Sequence, residues 1–364
     1  MISIELQRLE VQGFRNLQPQ QIHWAPGLNY LAGGNGAGKT SVLEAIHMLA
    51  SGKSFRASKA RQCLQRGNEG FVLHALWQRT QRDSTPEPLQ AGLHWQAGQW
   101  RRRMNRIDVK QQAEIARHLP LRALHPQVHQ LVSGGPDQRR KLLNWLLFHV
   151  EPDFLSMWQG YNRARKQRNE LIKTGRAGRE LEFWDELYVR FGEGFHQLQQ
   201  RVFDSWAHIL GRRLSVHPDL SVVKVQFYQG WNRNLSLIEV LRQGREQELQ
   251  QGHSLYGPHR MDIQLHVEGM PARDFLSRGQ QKLLAYQMNL SACEWVASQT
   301  GAWPILLMDD VQSELDASTL EGLLTDLQQS KVQIVATGVD GGCMKSCWPK
   351  LTMFHVEQGR VTAD

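Results

Sequence analysis

Cysteine is scarce. The four in 364 residues, Cys63, Cys293, Cys343 and Cys347, are spaced too irregularly for a disulfide framework or a four-ligand metal site. Cys343-x-x-x-Cys347 has no matching second pair, so idle or buried thiols in a reducing compartment are expected. Long apolar runs are missing as well. The most apolar stretches, such as 145–148 (WLLF), fall far below the ~20 residues that cross a bilayer, so no membrane partner is expected. The opening MISIEL alternates like a strand rather than a signal peptide, which points to a cytoplasmic protein. No internal repeat and no sustained a/d heptad is found, which excludes a solenoid and long coiled-coil arms. Acidic residues are outnumbered, 35 Asp+Glu against 43 Lys+Arg, and the net +8 favours an anionic partner such as nucleic acid without deciding it.

What is present is more specific. Gly33-Gly34-Asn35-Gly36-Ala37-Gly38-Lys39-Thr40, followed by Ser41, spells G-x-x-x-x-G-K-[ST]. Backbone N–H groups of such a loop form an anion nest at a helix start, with Lys39 placed to reach the β- and γ-phosphates and Thr40 to ligate Mg²⁺. The flanks comply. Leu28-Asn29-Tyr30-Leu31-Ala32 reads as a short strand, while Val42, Leu43, Ile46 and Leu49 recur at helical spacing and Gly52 offers a stop. A second element, Ile305-Leu306-Leu307-Met308-Asp309-Asp310, is a continuous apolar run ending in two acids, the pattern of a buried parallel strand. Its carboxylates fall where open α/β sheets bind ligands, so Asp309 suits the Mg²⁺ side and Asp310 the attacking water.

The ends of the chain read as α/β and the middle as mainly helical. Residues 81–89 (QRDSTPEPL) predict a surface loop and 93–100 a short hairpin arm. Helical patterns dominate 142–251, with Pro152-Asp153 starting one helix and Leu181, Trp184, Leu187 and Phe191 marking a face of another. Strand signals return at 261–267, 304–308, 331–337 and 352–356. The expected division is an ATPase lobe over 1–100, a helical insertion over 101–260, and the remainder of the ATPase head over 261–364.

Ser277-Arg278-Gly279-Gln280 lies between the two nucleotide elements and opens the helix-like stretch 283–296. The order phosphate loop, S-x-G-Q, apolar strand with acids, then Ser313-Glu314-Leu315-Asp316 resembles the ABC-type ATPases of the SMC class. More narrowly it resembles the RecF family of bacterial DNA replication and repair ATPases. The likeness extends through Gly13-Phe14-Arg15-Asn16, Lys53-Ser54-Phe55-Arg56, Gly134-Gly135-Pro136 with Arg139-Arg140, Lys166-Gln167-Arg168-Asn169, Gly257-Pro258-His259-Arg260 and Phe354-His355-Val356-Glu357. It implies an α/β fold, an ABC-type P-loop ATPase head of mixed sheet and helices plus a mainly helical second lobe. It further implies ATP and Mg²⁺ as cofactors, with Arg15 and Asn16 at the nucleotide and an ATP-dependent homodimer. In that dimer Ser277, Gly279 and Gln280 approach the γ-phosphate held by the other copy, and Asp316 lies in the loop crossing the joint. The activity implied is a weak, DNA-stimulated ATPase acting as a switch on double-stranded and gapped DNA. Its setting is recombinational repair, replication-fork maintenance and the SOS response, with RecR- and RecO-like partners in a nucleoid-associated, cytoplasmic location.

Some positions depart from the wider ABC pattern. Asp310 stands where many of these ATPases have glutamate, which fits slow hydrolysis, and Thr337 takes the switch position where transporters carry histidine. Met261 follows Gly257-Pro258-His259-Arg260 where many relatives have an acid, and Gln127 beside Pro126 is the candidate Q-loop residue. Three basic clusters are placed to meet DNA: Arg101-Arg102-Arg103 with Arg106, Arg139-Arg140-Lys141, and Arg163-Arg165-Lys166-Arg168. At 100° per residue Arg168 falls on the apolar arc of Tyr161, Ala164, Leu171 and Ile172, so it is expected to be a packed, ion-paired arginine. Arg163 and Lys166 point away and are DNA candidates with Lys53, Arg56, Arg139 and Arg140. Two other functions fit parts of the pattern: the ATPase subunit of a membrane transporter, and a non-catalytic DNA-binding scaffold.

Overall fold

The computed structural model describes residues 3–80, 85–175, 178–314, 316–330, 332–339 and 341–364. Most of the expected 81–89 loop, Leu315, and the side chains of Ser313, Glu314, Cys343 and Cys347 lie outside the described residues. The described cysteines, Cys63 and Cys293, are buried thiols outside any disulfide, as the spacing suggested.

Half-buried strands alternate in sequence, and Ser3–Gln12 shows where that alternation slips. Ile4 and Leu6 face the core, then Leu9 and Val11, because pairing against Gly70–Thr80 shifts register between Leu6 and Arg8. One extra residue in one strand is enough to keep the apolar set inward. The resulting antiparallel sheet runs Gln20–His23, Ser3–Gln12, Gly70–Thr80, Glu87–Gln96, Gln99–Met104, Ile107–Asp108. The hairpin expected over 93–100 is its fourth and fifth strands, longer than the sequence indicated.

A second six-stranded sheet has the order Arg360–Ala363, Thr352–Glu357, Leu28–Ala32, Ile334–Gly338, Ile305–Met308, Leu121–Leu124. All its pairings are parallel except the first, where a hairpin turns back. Ile305–Met308 is buried at every position, as a strand covered on both faces must be. The helix Lys39–Ser51 packs on strands of both sheets, so it is buried almost all round rather than on one stripe. Its end is fixed by Gly52 in the left-handed region (φ 73°), whose N–H donates to the Met48 carbonyl at 2.8 Å.

The chain divides into two compact units, residues 1–128 with 293–364, and residues 129–292. These differ from the expected limits at 100 and 260: residues 101–128 join the two-sheet unit, and 261–292 join the helical one. Two elements explain this. Leu121–Leu124 completes the mixed sheet, whereas Asp262–Val267 pairs with Lys224–Tyr228 and Met270–Pro271 in a three-stranded sheet of the helical unit.

The helical unit is built on Pro136–Val150, Phe154–Lys173 and the 37-residue Arg179–Ser215. At 1.5 Å per residue the last spans about 55 Å, and no long coiled-coil arm is formed among the described residues. Arg168 is fully buried there. Its Nε donates to Asp185 at 2.6 Å, Nη2 to Glu248 at 2.5 Å and Nη1 to Ser254 Oγ at 2.8 Å, and its guanidinium lies 5.2 Å from the Tyr188 ring centre. Removing one member of a buried ionic set strands the others and costs about 3–5 kcal/mol. Arg168→Met is therefore expected to lower the unfolding free energy of the helical unit by that amount with nucleotide affinity unchanged. A cost below about 1 kcal/mol, measured by urea titration of the full chain, contradicts this account.

Candidate nucleotide site

The glycine-rich loop connects Leu28–Ala32 to the helix Lys39–Ser51 at the C-terminal edge of the mixed sheet. Gly38, the residue before the helix, sits at φ 119°, a backbone region that side chains rarely enter. Gly33 answers a different need, since a Cβ there would run into the Val356 carbonyl. Asn16 stitches the loop from outside: its Nδ2 donates to the Gly36 carbonyl at 2.9 Å and its Oδ1 accepts from Ser41 Oγ at 2.8 Å. The turn of the last hairpin braces the other side. Gly359 N–H donates to the Ala37 carbonyl at 2.8 Å, and the Gly359 carbonyl accepts from Gln18 N–H at 3.0 Å.

Lys39 folds its ammonium back onto the loop, donating to the carbonyls of Gly33 and Gly34 at 2.6 and 2.9 Å. Strand order accounts for what lies opposite. The strand bearing Thr337 runs between those of the loop and of Asp309, with Thr337 beside Leu31 and Ala336 beside Met308. Thr337 Oγ1 therefore donates to Asp309 Oδ1 at 2.9 Å and accepts the Asp310 N–H at 2.9 Å. Thr40 Oγ1 donates to the same Asp309 Oδ1 at 2.8 Å. A hydroxyl and a carboxylate so joined are the hard oxygen donors that Mg²⁺ prefers, and the residues present fit that ion. Asp310, at φ 51°, lines the cleft beside them. The cleft, ≈ 470 Å³, is of the size that holds a small-molecule ligand.

Arg15 lines this cleft, but its fork is committed to Glu44 (2.8 and 2.6 Å) and to the Gln62 carbonyl (2.7 Å). Those hydrogen bonds to Glu44 raise the guanidinium above its ordinary value. Glu44, fully buried, also accepts from Ser54 Oγ, and burial together with its charge pushes the neighbouring Cys63 thiol up to about 11. Arg15 is thus a wall that Glu44 positions, and Glu44 escaped the sequence reading. An acid among Leu43, Ala45 and Ile46 carries no one-face signal when the helix is enclosed on every side.

The S-x-G-Q segment is the exposed start of the helix Arg278–Thr300. Gln280 Oε1 accepts from Ser277 N–H at 2.9 Å and Ser277 Oγ accepts from Gln280 N–H at 3.3 Å, a reciprocal cap. Gly279 faces open space apart from that hydroxyl. Gln127 is exposed on the turn Pro126–His129 and does not line the cleft.

The basic residues separate. Arg163, Lys166 and Lys53 are exposed, whereas Arg56 lines the nucleotide cleft with its Nη1 3.9 Å from Glu44. Arg139 corrects the expectation of a DNA contact: it is 8% exposed, its Nε and Nη2 pair with Asp262 at 2.7 and 3.0 Å, and its Nη1 donates to the Leu131 and Gly134 carbonyls. Every arm of its fork is spent inside the protein. Arg140 is half-committed, donating to the Met261 carbonyl at 2.7 Å and to Asp137. Arg101 and Arg103 share Asp108, and Arg102 lies 5.3 Å from the Trp100 ring centre.

With this geometry in place, comparison with known proteins is informative. Residues 5–362 match the family described as RecF/RecN/SMC N terminal domain. The DNA replication and repair protein RecF of Stenotrophomonas maltophilia is 35% identical over 99% of this chain and 100% of its own length. That of Shewanella baltica is 34% identical over 99% of both. Among solved structures, the recombination mediator protein RecF–ATP of the RecFOR pathway superposes with a TM-score of 0.86 at 25% identity, covering 100% of this chain and 98% of that one. The Smc head domain of Pyrococcus furiosus, at TM-score 0.59 and 13% identity over 99% and 96%, shares the fold. No helix among the described residues is long and apolar enough to cross a membrane.

Thr337→Val tests the construction of the site, because it removes both the donor to Asp309 and the hydroxyl that accepts the Asp310 N–H, a loss of about 1–3 kcal/mol. Calorimetric titration with a non-hydrolysable triphosphate and Mg²⁺ is expected to show about tenfold weaker binding. Unchanged affinity would mean that Thr40 alone positions Asp309.

Proposed function

The chain belongs to the RecF/RecN/SMC N-terminal domain family, on its RecF branch, and from that premise we propose that it is an ATP-dependent, DNA-binding switch of recombinational repair and replication-fork maintenance. The observation that carries this is the convergence of Thr40 and Thr337 on Asp309 Oδ1 beside the phosphate loop, with the Asp310 N–H held by the same Thr337 hydroxyl. Thr40 and Asp309 would hold Mg²⁺, which when bound would supply neutralising charge to a triphosphate. Lys39 exchanges the Gly33 and Gly34 carbonyls for phosphate oxygens. Asp310 orients the attacking water, and its short side chain makes hydrolysis slow.

Two copies close on ATP, and the exposed Ser277-x-Gly279-Gln280 turn of each completes the nucleotide site of the other. A helix N-terminus with exposed N–H groups favours the γ-phosphate charge. Because ATP binds the closed dimer better than the open one, it shifts the population toward closure. The closed form holds double-stranded DNA near gaps through exposed cations such as Arg163, Lys166 and Lys53, and hydrolysis releases it. RecR- and RecO-like proteins then help load a recombinase on the single strand.

Binding to duplex, gapped and single-stranded DNA across a salt titration, with and without ATP, tests the whole scheme. Lys39→Ala is expected to abolish ATP-driven dimerisation in sedimentation, and Asp310→Asn to trap the ATP dimer on DNA. Rapid release from the latter refutes the role given to Asp310. Arg163→Glu with Lys166→Glu is expected to weaken DNA binding and reduce its salt slope by about 2, one for each lost phosphate contact. A change in thermal stability alone would make both residues structural.

A further inference from the structure

The helical unit contains a second cleft, ≈ 290 Å³, that the nucleotide chemistry does not use. Three helices each turn one face to it at i, i+4 or i+3, i+7 spacing: Asp137, Arg140, Lys141 and Asn144 from Pro136–Val150, Trp158, Tyr161, Asn162 and Arg165 from Phe154–Lys173, and Phe195 and Gln199 from Arg179–Ser215. Gln199 is 1% exposed, yet its Oε1 has no hydrogen-bond partner, and Asn144 Oδ1 is likewise buried and unpaired. Native interiors rarely leave such acceptors unmet, and two in one cleft call for a donor from outside.

The other walls restrict what that donor belongs to. Among the described residues Lys141 and Arg165 form no ion pair, while Arg140 is already tied to Asp137 and the Met261 carbonyl, so the cleft favours an anion. His259 completes one side and is held neutral, its value lowered to about 3 by burial and by the cations Arg165, Arg260 and Arg140. The carboxylate among the lining residues, Asp137, is 81% exposed and paired, so a cationic ammonium would meet repulsion rather than a partner. Trp158, 38% exposed, offers a flat apolar face. An anion, a neutral N–H donor and a flat ring in one small ligand describe a nucleotide whose base carries an exocyclic amine.

We propose that this cleft binds a single unpaired nucleotide bearing an exocyclic amino group, with the amine on Gln199 Oε1 and Asn144 Oδ1, the base against Trp158 and the phosphate toward Lys141 and Arg165; this rests on the DNA-binding role proposed above. Thymine, which lacks that amine, is disfavoured. A base must leave the duplex stack to enter, which ties the cleft to single-stranded stretches and gap edges.

The test uses the full chain with its nucleotide site saturated by a non-hydrolysable ATP analogue, and fluorescence anisotropy of labelled oligo(dC), oligo(dT) and duplex DNA. Oligo(dC) is expected to bind about fivefold tighter than oligo(dT), the worth of one net hydrogen bond. Gln199→Leu should erase that difference while leaving oligo(dT) and duplex binding unchanged. Lys141→Ala with Arg165→Ala should weaken both oligonucleotides and flatten the salt slope. Competition by dCMP separates sources: displacement of oligo(dC) means that a free nucleotide suffices, and persistence of the complex means that the strand is required. Equal dC and dT affinities in the wild type, or a preference that survives Gln199→Leu, overturns the proposal. Should Gln199→Leu fail to fold, Asn144→Leu provides the same readout, whereas Trp158→Ala should weaken oligo(dC) and oligo(dT) alike. ATP-dependent duplex binding is scored separately, so its loss strikes the DNA-binding role, whereas its retention without cytosine preference strikes the cleft alone.

Discussion

One carboxylate oxygen organises the nucleotide unit. Asp309 Oδ1 accepts from Thr40, in the first turn of the helix after the phosphate loop, and from Thr337, next to the end of the neighbouring strand. That bridge exists because the sheet inserts Ile334–Gly338 between the loop strand and the acid strand. Residues 28–40, 305–310 and 334–338 are far apart in the chain, and the parallel ladder brings their C-terminal ends to one edge, where open α/β sheets receive ligands.

A second constraint is where the positive charge goes. Arg15, Arg139 and Arg168 look alike in a basic sequence, yet each is folded inward on acids: Glu44, Asp262, and Asp185 with Glu248. Burial of an arginine demands such partners, because its five donors and permanent charge are otherwise left without water. Arg163, Lys166 and Lys53, by contrast, remain exposed to solvent.

Legibility in the sequence followed local geometry. The loop, its flanking strand and helix, and the acid strand were readable because each is set by short-range spacing, and the inward turn of Arg168 followed from 100° per residue. Arg139 was misjudged because its partner, Asp262, is 123 positions away and no local period reports it. The unit boundary was misplaced for the same reason: Asp262–Val267 resembles any other half-buried strand until its partner, Lys224–Tyr228, is known. Glu44 and the bracing turn at Gly359 were invisible because enclosure by two sheets and contact across more than 300 positions leave no mark in a window.

That turn reverses the usual order of assembly. Residues 33–40 leave the ribosome early, but their support from Gly359 arrives only with the closing strands of the same unit. A nascent chain halted before those strands carries the full loop motif without its brace.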